Sequence, residues 1–137
     1  MSTGLFDLTG KNTLVTGGAQ GLGRMIAEGL LRAGATVAIT SRKADICEAA
    51  VSEMAELGTC IALPADLSTP EAAVDLAQRY RETVGAALHV LVNNAGKTWG
   101  GTVDTFPDRA WPGVMMVNVQ TPFTLVRELL PELTVAG

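Results

Sequence analysis

The fold is decided by the segment Thr16-Gly17-Gly18-Ala19-Gln20-Gly21-Leu22-Gly23, which joins an apolar run to a stretch of helical periodicity. Gly17 can make the tight turn off a strand, Gly21 leaves room for a phosphate, and Gly23 lets the next helix pack closely. Because a helix N-terminus presents unpaired N–H groups, this spacing predicts a site for the pyrophosphate of a dinucleotide. A glycine-rich turn without a ligand is the alternative, and a P-loop is excluded because no Gly-Lys-Ser/Thr follows. The candidate cofactor-binding residues of the turn are Gly17, Gln20, Gly21, Leu22 and Gly23.

Short apolar runs alternate with segments of helical period along the rest of the chain. The apolar runs predict strands at residues 13–16, 36–40, 60–63 and 89–92, with a helix after each. These strands are apolar throughout, which is typical of a parallel sheet covered on both faces. Right-handed crossovers then give an α/β fold, a doubly wound parallel sheet of Rossmann type. In such a sheet, ligands bind beyond the carboxyl ends of the strands.

Helical periodicity also indicates which faces are buried and where helices end. The apolar face expected for the first helix consists of Leu22, Ile26, Leu30 and Ala33. Gly34 follows it, at the position of a C-terminal cap. The segment 108–133 is expected to form one long helix with a kink at Pro122, because proline cannot donate the helical hydrogen bond.

Length and composition exclude several classes of protein. A chain of 137 residues with 47% hydrophobic residues suits one folded domain. A net charge of −4 argues against a nucleic-acid partner. The sequence contains no run of about 18 apolar residues, so no membrane-spanning helix is expected. Residues 1–11 lack the basic start and apolar stretch of a secretory signal. Two cysteines and one histidine predict no metal site, and the expected compartment is the cytoplasm.

The end of the second predicted strand bears on the choice of nicotinamide cofactor. An acidic residue there would bind a ribose 2′-hydroxyl and select NAD, but the chain reads Thr40-Ser41-Arg42-Lys43. Arg42 offers a planar fork for a 2′-phosphate, and Ser41 a hydroxyl. We therefore expect NADP(H), with NAD(H) as the less favoured choice. The alternative is that Arg42 and Lys43 are a solvated start to the next helix.

Two further motifs follow the third and fourth predicted strands. Asp66 can accept a hydrogen bond from an adenine amino group while Leu67 supplies its N–H; alternatively, Asp66 only caps the turn before Ser68. In Asn93-Asn94-Ala95-Gly96, the amides can cross-link strand ends and the small residues make room for a ribose. The cofactor-binding candidates here are Asp66, Leu67, Asn94, Ala95 and Gly96.

In combination, these motifs resemble those of the short-chain dehydrogenase/reductase family. The resemblance rests on residues 16–23, Asp66-Leu67, Asn93–Gly96 and Val117-Asn118-Val119, and it extends over nearly the whole chain. The segment Lys97-Thr98-Trp99-Gly100, together with Trp111 and the segment Met115–Val119, is most similar to the 3-oxoacyl-carrier-protein reductases. Gln20 departs from the pattern, because many NADP-type members have Arg or Lys there.

The resemblance implies hydride transfer between nicotinamide C4 and a carbonyl or alcohol carbon. In the family a Tyr exchanges the proton, a Lys lowers the pKa of that Tyr, a Ser polarises the substrate oxygen, and an Asn holds a relay water. Asn118 matches this Asn and is the catalytic candidate; its alternative is an amide satisfied locally within a helix. Pro122, four residues on, could free a backbone carbonyl to assist.

The family's Ser and Tyr-x-x-x-Lys have no counterpart here. Tyr80, the one tyrosine, has Val84 four residues on instead of Lys. We therefore expect residues 1–137 to be the N-terminal part of a dinucleotide-binding domain, incomplete at the C-terminal side and inactive alone. The complete protein is expected to reduce a small-molecule or acyl-carrier-linked carbonyl substrate in fatty acid metabolism and to form homo-oligomers. The rival hypothesis is a non-catalytic dinucleotide-binding or interaction module.

Overall fold

Four parallel strands form the centre of the computed structural model, which describes residues 4–137. Residues 1–11 were expected not to form a secretory signal, and residues 1–3 of that segment lie outside the described residues. The strands are β1 (Asn12–Val15), β2 (Thr36–Ile39), β3 (Cys60–Ala62) and β4 (Val90–Val92). Their order in the sheet is β3-β2-β1-β4, and every pairing is parallel. The chain thus crosses from β3 past the first strand to β4, which reverses the direction of winding.

Helices connect the strands and cover both faces of the sheet. They are α1 (Gly21–Arg32), α2 (Ala44–Met54), α3 (Pro70–Thr83), α4 (Trp111–Met115), α5 (Thr121–Glu128) and α6 (Leu130–Ala136). Short 3-10 turns occur at Ala55–Leu57 and Asp108–Ala110. Thr69 caps α3 by accepting a hydrogen bond from the Ala72 N–H, 3.3 Å away. Within residues 4–137 no helix has the length and apolar character needed to cross a membrane.

Consecutive residues of β1 contribute to two separate cores. Leu14 packs in a cluster with α3 and α5, which includes Leu76 and Leu125, whereas Val15 packs in a cluster with α1 and α2. Both strand residues are fully buried. Because neighbouring strand residues point to opposite faces, helices must cover the sheet on both sides. The predicted doubly wound α/β fold is therefore confirmed.

The buried face of α1 differs from the predicted one by a single position. Gly23, Ala27 and Leu31 are buried, whereas Leu22 is 65% exposed. The small residues lie against the sheet because they allow the helix axis to come close to it. The predicted cap at Gly34 is confirmed by its φ of +98°, a left-handed conformation that glycine adopts readily.

The predicted long helix is instead a series of helical pieces. Between α4 and α5 lies a π-helical turn, Met116–Gln120, in which the Thr121 N–H donates to the Met116 carbonyl five residues earlier. Pro122, which has no N–H to donate, follows immediately and accounts for the irregularity at the predicted kink. A second interruption, not predicted, falls at Leu129, two residues before Pro131.

Candidate functional site

A cleft of about 790 Å³ lies beyond the carboxyl ends of the strands. It is bounded by the loops that follow β1, β2, β3 and β4, so all four predicted motifs contribute to it. The predicted residues that line it are Gly17, Gln20, Ser41, Arg42, Asp66, Leu67, Asn94, Ala95 and Gly96. Gly21, Leu22, Gly23 and Asn118 were also predicted, but they are adjacent to the cleft wall rather than part of it. The Leu22 side chain is 65% exposed.

Two glycines of the turn after β1 have left-handed backbone conformations. The φ angles are +63° at Gly17 and +56° at Gly21. Apart from its chain neighbours and the adjoining backbone of α1, no atom lies within 4 Å of the position that a Gly21 Cβ would take, so a ligand can approach the backbone there. Gln20 precedes α1 without capping it by a side-chain hydrogen bond. The first-turn N–H groups of this 12-residue helix are therefore available to an anion.

Gly23 has a packing function in the same turn. A Cβ at this position would overlap the Gly17 carbonyl group and the Asn94 side-chain amide. The absence of a side chain thus allows α1 to start directly against the turn, as its spacing predicts.

Threonine hydroxyls fasten this turn to the neighbouring strands. Thr16 Oγ1 accepts hydrogen bonds from the Asn94 and Ala95 N–H groups, at 3.0 and 2.9 Å. The Asn94 amide nitrogen donates to the carbonyls of Thr16 and Gly17, at 3.1 and 3.2 Å. Thr40 Oγ1 accepts from the Gly17 N–H at 3.2 Å. The cross-link predicted for the Asn93–Gly96 motif therefore exists and is made by Asn94.

The charged residue at the end of β2 is Arg42. Across the described range, residues 4–137, its guanidinium makes no ion pair. Arg24 on α1, in contrast, is engaged by Glu28 and Glu53, at 3.1 and 2.6 Å, and these hydrogen bonds raise its pKa further. Arg42 is thus the cation of this end of the cleft that remains available to an anionic ligand.

Asp66 caps the turn before Ser68, as its alternative interpretation predicts, and it also lines the cleft. One oxygen, Oδ1, accepts hydrogen bonds from the Ser68 N–H and hydroxyl, at 3.2 and 2.8 Å, as expected of a turn cap. The residue nevertheless lines the cleft beside Leu67. Capping and ligand contact are therefore compatible, since a carboxylate has a second oxygen.

Asn118 occupies the middle of the π-helical turn and contacts the loop after β4. Its Oδ1 accepts from the Lys97 N–H at 2.9 Å, and its Nδ2 donates to the Lys97 carbonyl at 2.8 Å. Both polar atoms of the side chain thus bind one backbone unit. The Asn118 carbonyl lacks its α-helical donor, because Pro122 has no N–H.

Tyr80 is a core residue and lies away from the cleft. It is fully buried on α3, its hydroxyl donates to the Ala87 carbonyl at 2.8 Å, and burial raises its pKa to about 12. Such a group holds its proton too firmly to act as an acid near neutral pH. Within residues 4–137 no cluster of three or more His, Cys, Asp or Glu side chains could hold a metal.

Several cleft residues were not identified from the sequence. Thr16 and Thr40 hold the glycine turn, and Lys97, Thr98 and Val117 extend the wall beyond β4. Each threonine comes directly after a strand, and this position was the signal that could have identified it. Val117 belongs to the motif Val117-Asn118-Val119, but only Asn118 was singled out there, and Val117 lines the cleft from the π-helical turn.

The family model described as short chain dehydrogenase matches residues 11–137. The chain therefore belongs to the short-chain dehydrogenase family, as the resemblance of its motifs predicts. The rhamnolipids biosynthesis 3-oxoacyl-[acyl-carrier-protein] reductase of Pseudomonas aeruginosa is 45% identical over 126 residues, which cover 92% of this chain and 49% of that protein. The 5-keto-D-gluconate 5-reductase of Escherichia coli strain K12 is 38% identical over 125 residues, covering 90% and 48%.

Solved structures show the same similarity. A Pseudomonas aeruginosa RhlG/NADP active-site complex has a TM-score of 0.92 and 44% identity, covering 96% of this chain and 51% of that one. The L-sorbose reductase of Gluconobacter frateurii, complexed with NADPH and L-sorbose, has a TM-score of 0.89 and 28% identity, with the same coverage. The chain spans about half the length of the curated relatives it matches.

Proposed function

We propose that the protein is an NADP(H)-dependent oxidoreductase that transfers a hydride between the nicotinamide and a carbonyl or alcohol carbon. The observation that carries this proposal is the backbone at Gly21, which is left-handed, unobstructed and adjacent to the cleft at the uncapped start of α1. A pyrophosphate fits there because it needs both close backbone approach and N–H donors.

The adenosine half of the cofactor is assigned to the loops after β2 and β3. Arg42 and Ser41 would hold the 2′-phosphate, and the absence of an ion-pair partner for Arg42 in residues 4–137 supports this role. Asp66 and Leu67 would flank the adenine, with Gln20 near the ribose. Family membership and the NADP complexes among similar structures support NADP(H) over NAD(H).

The nicotinamide half is assigned to the loop after β4. Ala95 and Gly96 line that part of the cleft and leave room for a ribose. When bound, the cofactor supplies or accepts the hydride. Asn118 would hold a relay water through its backbone carbonyl, because both polar atoms of its side chain are already bound to Lys97.

Residues 1–137 are proposed to form the N-terminal part of the dinucleotide-binding domain and to be inactive by themselves. The proton-transfer group of such an enzyme must be a titratable acid near the substrate, and Tyr80 is buried and bound to Ala87. Loss of general acid–base catalysis alone lowers a rate by about 10²–10⁴-fold.

The substrate is proposed to be an acyl-carrier-linked 3-oxo compound processed in cytoplasmic fatty acid metabolism. The relative that is 45% identical supports this choice by its name. A small free carbonyl compound is the second candidate, since another relative is a keto-gluconate reductase. The rival class, a non-catalytic dinucleotide-binding module, is distinguished by cofactor binding without turnover.

A homo-oligomer is proposed on the basis of apolar residues exposed along α4, the π-helical turn and the helices that follow. They are spaced three or four residues apart, and they are Trp111, Met115, Val119, Phe123, Val126 and Leu130. Contact with a second copy would bury this stripe.

The proposal is tested by fluorescence titration of the full-length protein with NADPH and NADH. We expect tighter binding of NADPH, and a reversal of this preference in Arg42→Asp, because the new carboxylate repels the 2′-phosphate and accepts from a 2′-hydroxyl. Lys43→Asp is the control: it makes the same charge change one residue away, and Lys43 does not line the cleft. Failure to bind either nucleotide would overturn the proposed function.

A further inference from the structure

Lys97 is a cation that the proposed cofactor site does not use. It lines the cleft directly after the Asn93–Gly96 motif. The charged residues of the cleft wall are Arg42, Asp66 and Lys97. Arg42 is assigned to the 2′-phosphate and Asp66 binds Ser68, so the role of Lys97 remains to be explained.

The sheet order places Lys97 at the substrate end of the cleft. Arg42 follows β2, the glycine turn follows β1 and Lys97 follows β4, and these strands are neighbours in the order β2-β1-β4. With the pyrophosphate at the glycine turn and the 2′-phosphate at Arg42, the nicotinamide must extend toward β4. Lys97 therefore lies beyond the half of the cofactor that reacts with substrate.

The backbone of Lys97 is fixed while its ammonium group remains unpaired. Asn118 binds both the N–H and the carbonyl of Lys97, at 2.9 and 2.8 Å. The ammonium forms neither an ion pair nor a hydrogen bond with any group in residues 4–137. The fixed backbone places the start of the Lys97 side chain at the cleft wall, and its free ammonium can bind an anion there.

Gly113 determines where the Lys97 side chain lies. The Lys97 Nζ is 2.9 Å, and its Cε 3.6 Å, from the position that a Gly113 Cβ would take. Val117, four residues after Gly113, lines the cleft, and residues at this spacing share a helix face. The tip of the Lys97 side chain thus lies against α4 at Gly113, about one helical turn before Val117 of the cleft wall, in space that glycine leaves open.

We propose that Lys97 determines substrate specificity by binding an anionic group, a carboxylate or a phosphate, at the non-reacting end of the carbonyl substrate. This inference rests on the proposed function and deepens it. Residues 1–137 carry a net charge of −4, which disfavours an anion, so a local cation at the substrate end helps to hold one. No bond forms or breaks at Lys97.

The test compares matched substrates with the full-length protein and NADPH. One pair is acetoacetate and its methyl ester, and the other is acetoacetyl-phosphopantetheine and acetoacetyl-pantetheine. In Lys97→Met we expect KM for the charged member of at least one pair to rise about tenfold, the loss expected for one charge-assisted hydrogen bond. KM for the neutral member and the Kd for NADPH should change less than about twofold on the same scale.

Three further variants make the result specific. Lys97→Arg should keep most of the preference for the charged substrate. Gly113→Ala, which introduces a helix-favouring residue and so should not unfold α4, should weaken that preference by displacing the ammonium. Lys11→Met, which removes the same charge outside the cleft, should leave it unchanged.

The outcomes separate this inference from the function on which it rests. An effect confined to the ester pair identifies a carboxylate, and one confined to the pantetheine pair identifies a phosphate. If Lys97→Met affects charged and neutral substrates equally, or weakens NADPH binding instead, Lys97 does not recognise a substrate anion. If wild-type protein binds NADPH but turns over none of the four compounds, this assignment is wrong while the proposed function stands. If it binds neither nucleotide, the proposed function itself fails and this assignment with it.

Discussion

Asn118 and Lys97 are joined by two hydrogen bonds that connect the π-helical turn to the loop after β4. The distances are 2.9 Å from the Lys97 N–H to Oδ1 and 2.8 Å from Nδ2 to the Lys97 carbonyl. An amide side chain that is hydrogen-bonded to both the N–H and the carbonyl of one residue fixes the position and the orientation of that residue. The Asn118 side chain thus shapes the cleft, and the role that we propose in the proton relay falls to its backbone carbonyl.

This division of roles predicts different defects for two variants of the full-length enzyme. Asn118→Ala should raise both the Kd for NADPH and the KM for substrate, because the loop containing Gly96 loses its anchor. A displaced loop of this kind can cost about 10- to 100-fold in kcat/KM. Pro122→Ala supplies an N–H that can donate to the Asn118 carbonyl, so it should lower kcat by about tenfold. Its Kd for NADPH should equal that of wild type.

Steady-state kinetics and NADPH titration of both variants distinguish these effects. Equal changes in kcat and Kd for Pro122→Ala would mean that the Asn118 carbonyl has no role separate from the structure of the helix.

Thr16 anchors the loop after β4 through its hydroxyl, which leads to a second prediction. Thr16→Val keeps the size of the side chain but leaves the Asn94 and Ala95 N–H groups without their acceptor. We expect a loss of about 1–3 kcal/mol in the free energy of unfolding and weaker NADPH binding. Thr16→Ser, the matched control, retains the hydroxyl and should lose about 1 kcal/mol for the missing methyl group. Urea denaturation and NADPH titration measure the two effects, and unchanged NADPH affinity in Thr16→Val would refute the link to the cleft.

Two glycines of α1 should respond oppositely to alanine. At Gly23 a Cβ would overlap the Gly17 carbonyl, so Gly23→Ala should cost about 1–3 kcal/mol or more in stability. At Gly29 nothing lies within 4 Å, so Gly29→Ala should gain about 0.4–1 kcal/mol by lowering the entropy of the unfolded chain. Thermal unfolding of both variants tests this contrast. Similar shifts for the two would show that close packing at Gly23 is not what the turn requires.

The alternation of strands and helices along the chain and the position of the cleft were predictable from the sequence because they depend on local signals. Apolar runs identify the strands, and the glycine turn and the Asn93–Gly96 motif identify the ends of β1 and β4. The predicted buried face of α1 was shifted by one residue, because large apolar residues such as Leu22 were expected to face the core. Close packing against a sheet instead selects small residues, and Gly23 and Ala27 were the better guide.

The π-helical turn was only partly predictable. Pro122 signals an irregularity, but whether a helix bends or gains an extra residue depends on what packs against it. Here Asn118 is bound to Lys97, a contact between residues 21 positions apart. No local pattern encodes such a contact, and the same holds for the ammonium of Lys97 over Gly113.

An ion pair between α3 and α6, in which only the glutamate is buried, predicts a pH dependence of stability. The carboxylate of Glu132 is almost completely buried and binds the guanidinium of Arg81, which also donates to the Glu128 carbonyl. Burial acts to raise the pKa of Glu132, but hydrogen bonds from Arg81 and the backbone, with the Arg81 charge, outweigh it and lower that pKa. The folded state thus binds this proton less readily than the unfolded state, in which the pKa of Glu is about 4.3.

The contribution of this pair is therefore present above about pH 4.3 and is lost as the pH falls through the lower pKa of the folded protein. Arg81→Met should reduce the free energy of unfolding by about 1–3 kcal/mol at neutral pH, because it leaves the Glu132 carboxylate buried without its partner. The difference from wild type should shrink as the pH falls toward about 3, where Glu132 is protonated in the variant.

Arg127→Met, which breaks the more exposed pair with Glu128, should change stability by less than about 1 kcal/mol at either pH. Urea denaturation of the three proteins between these pH values measures the effect, and a difference for Arg81→Met that does not vary with pH would assign its cost to lost packing instead of the ion pair.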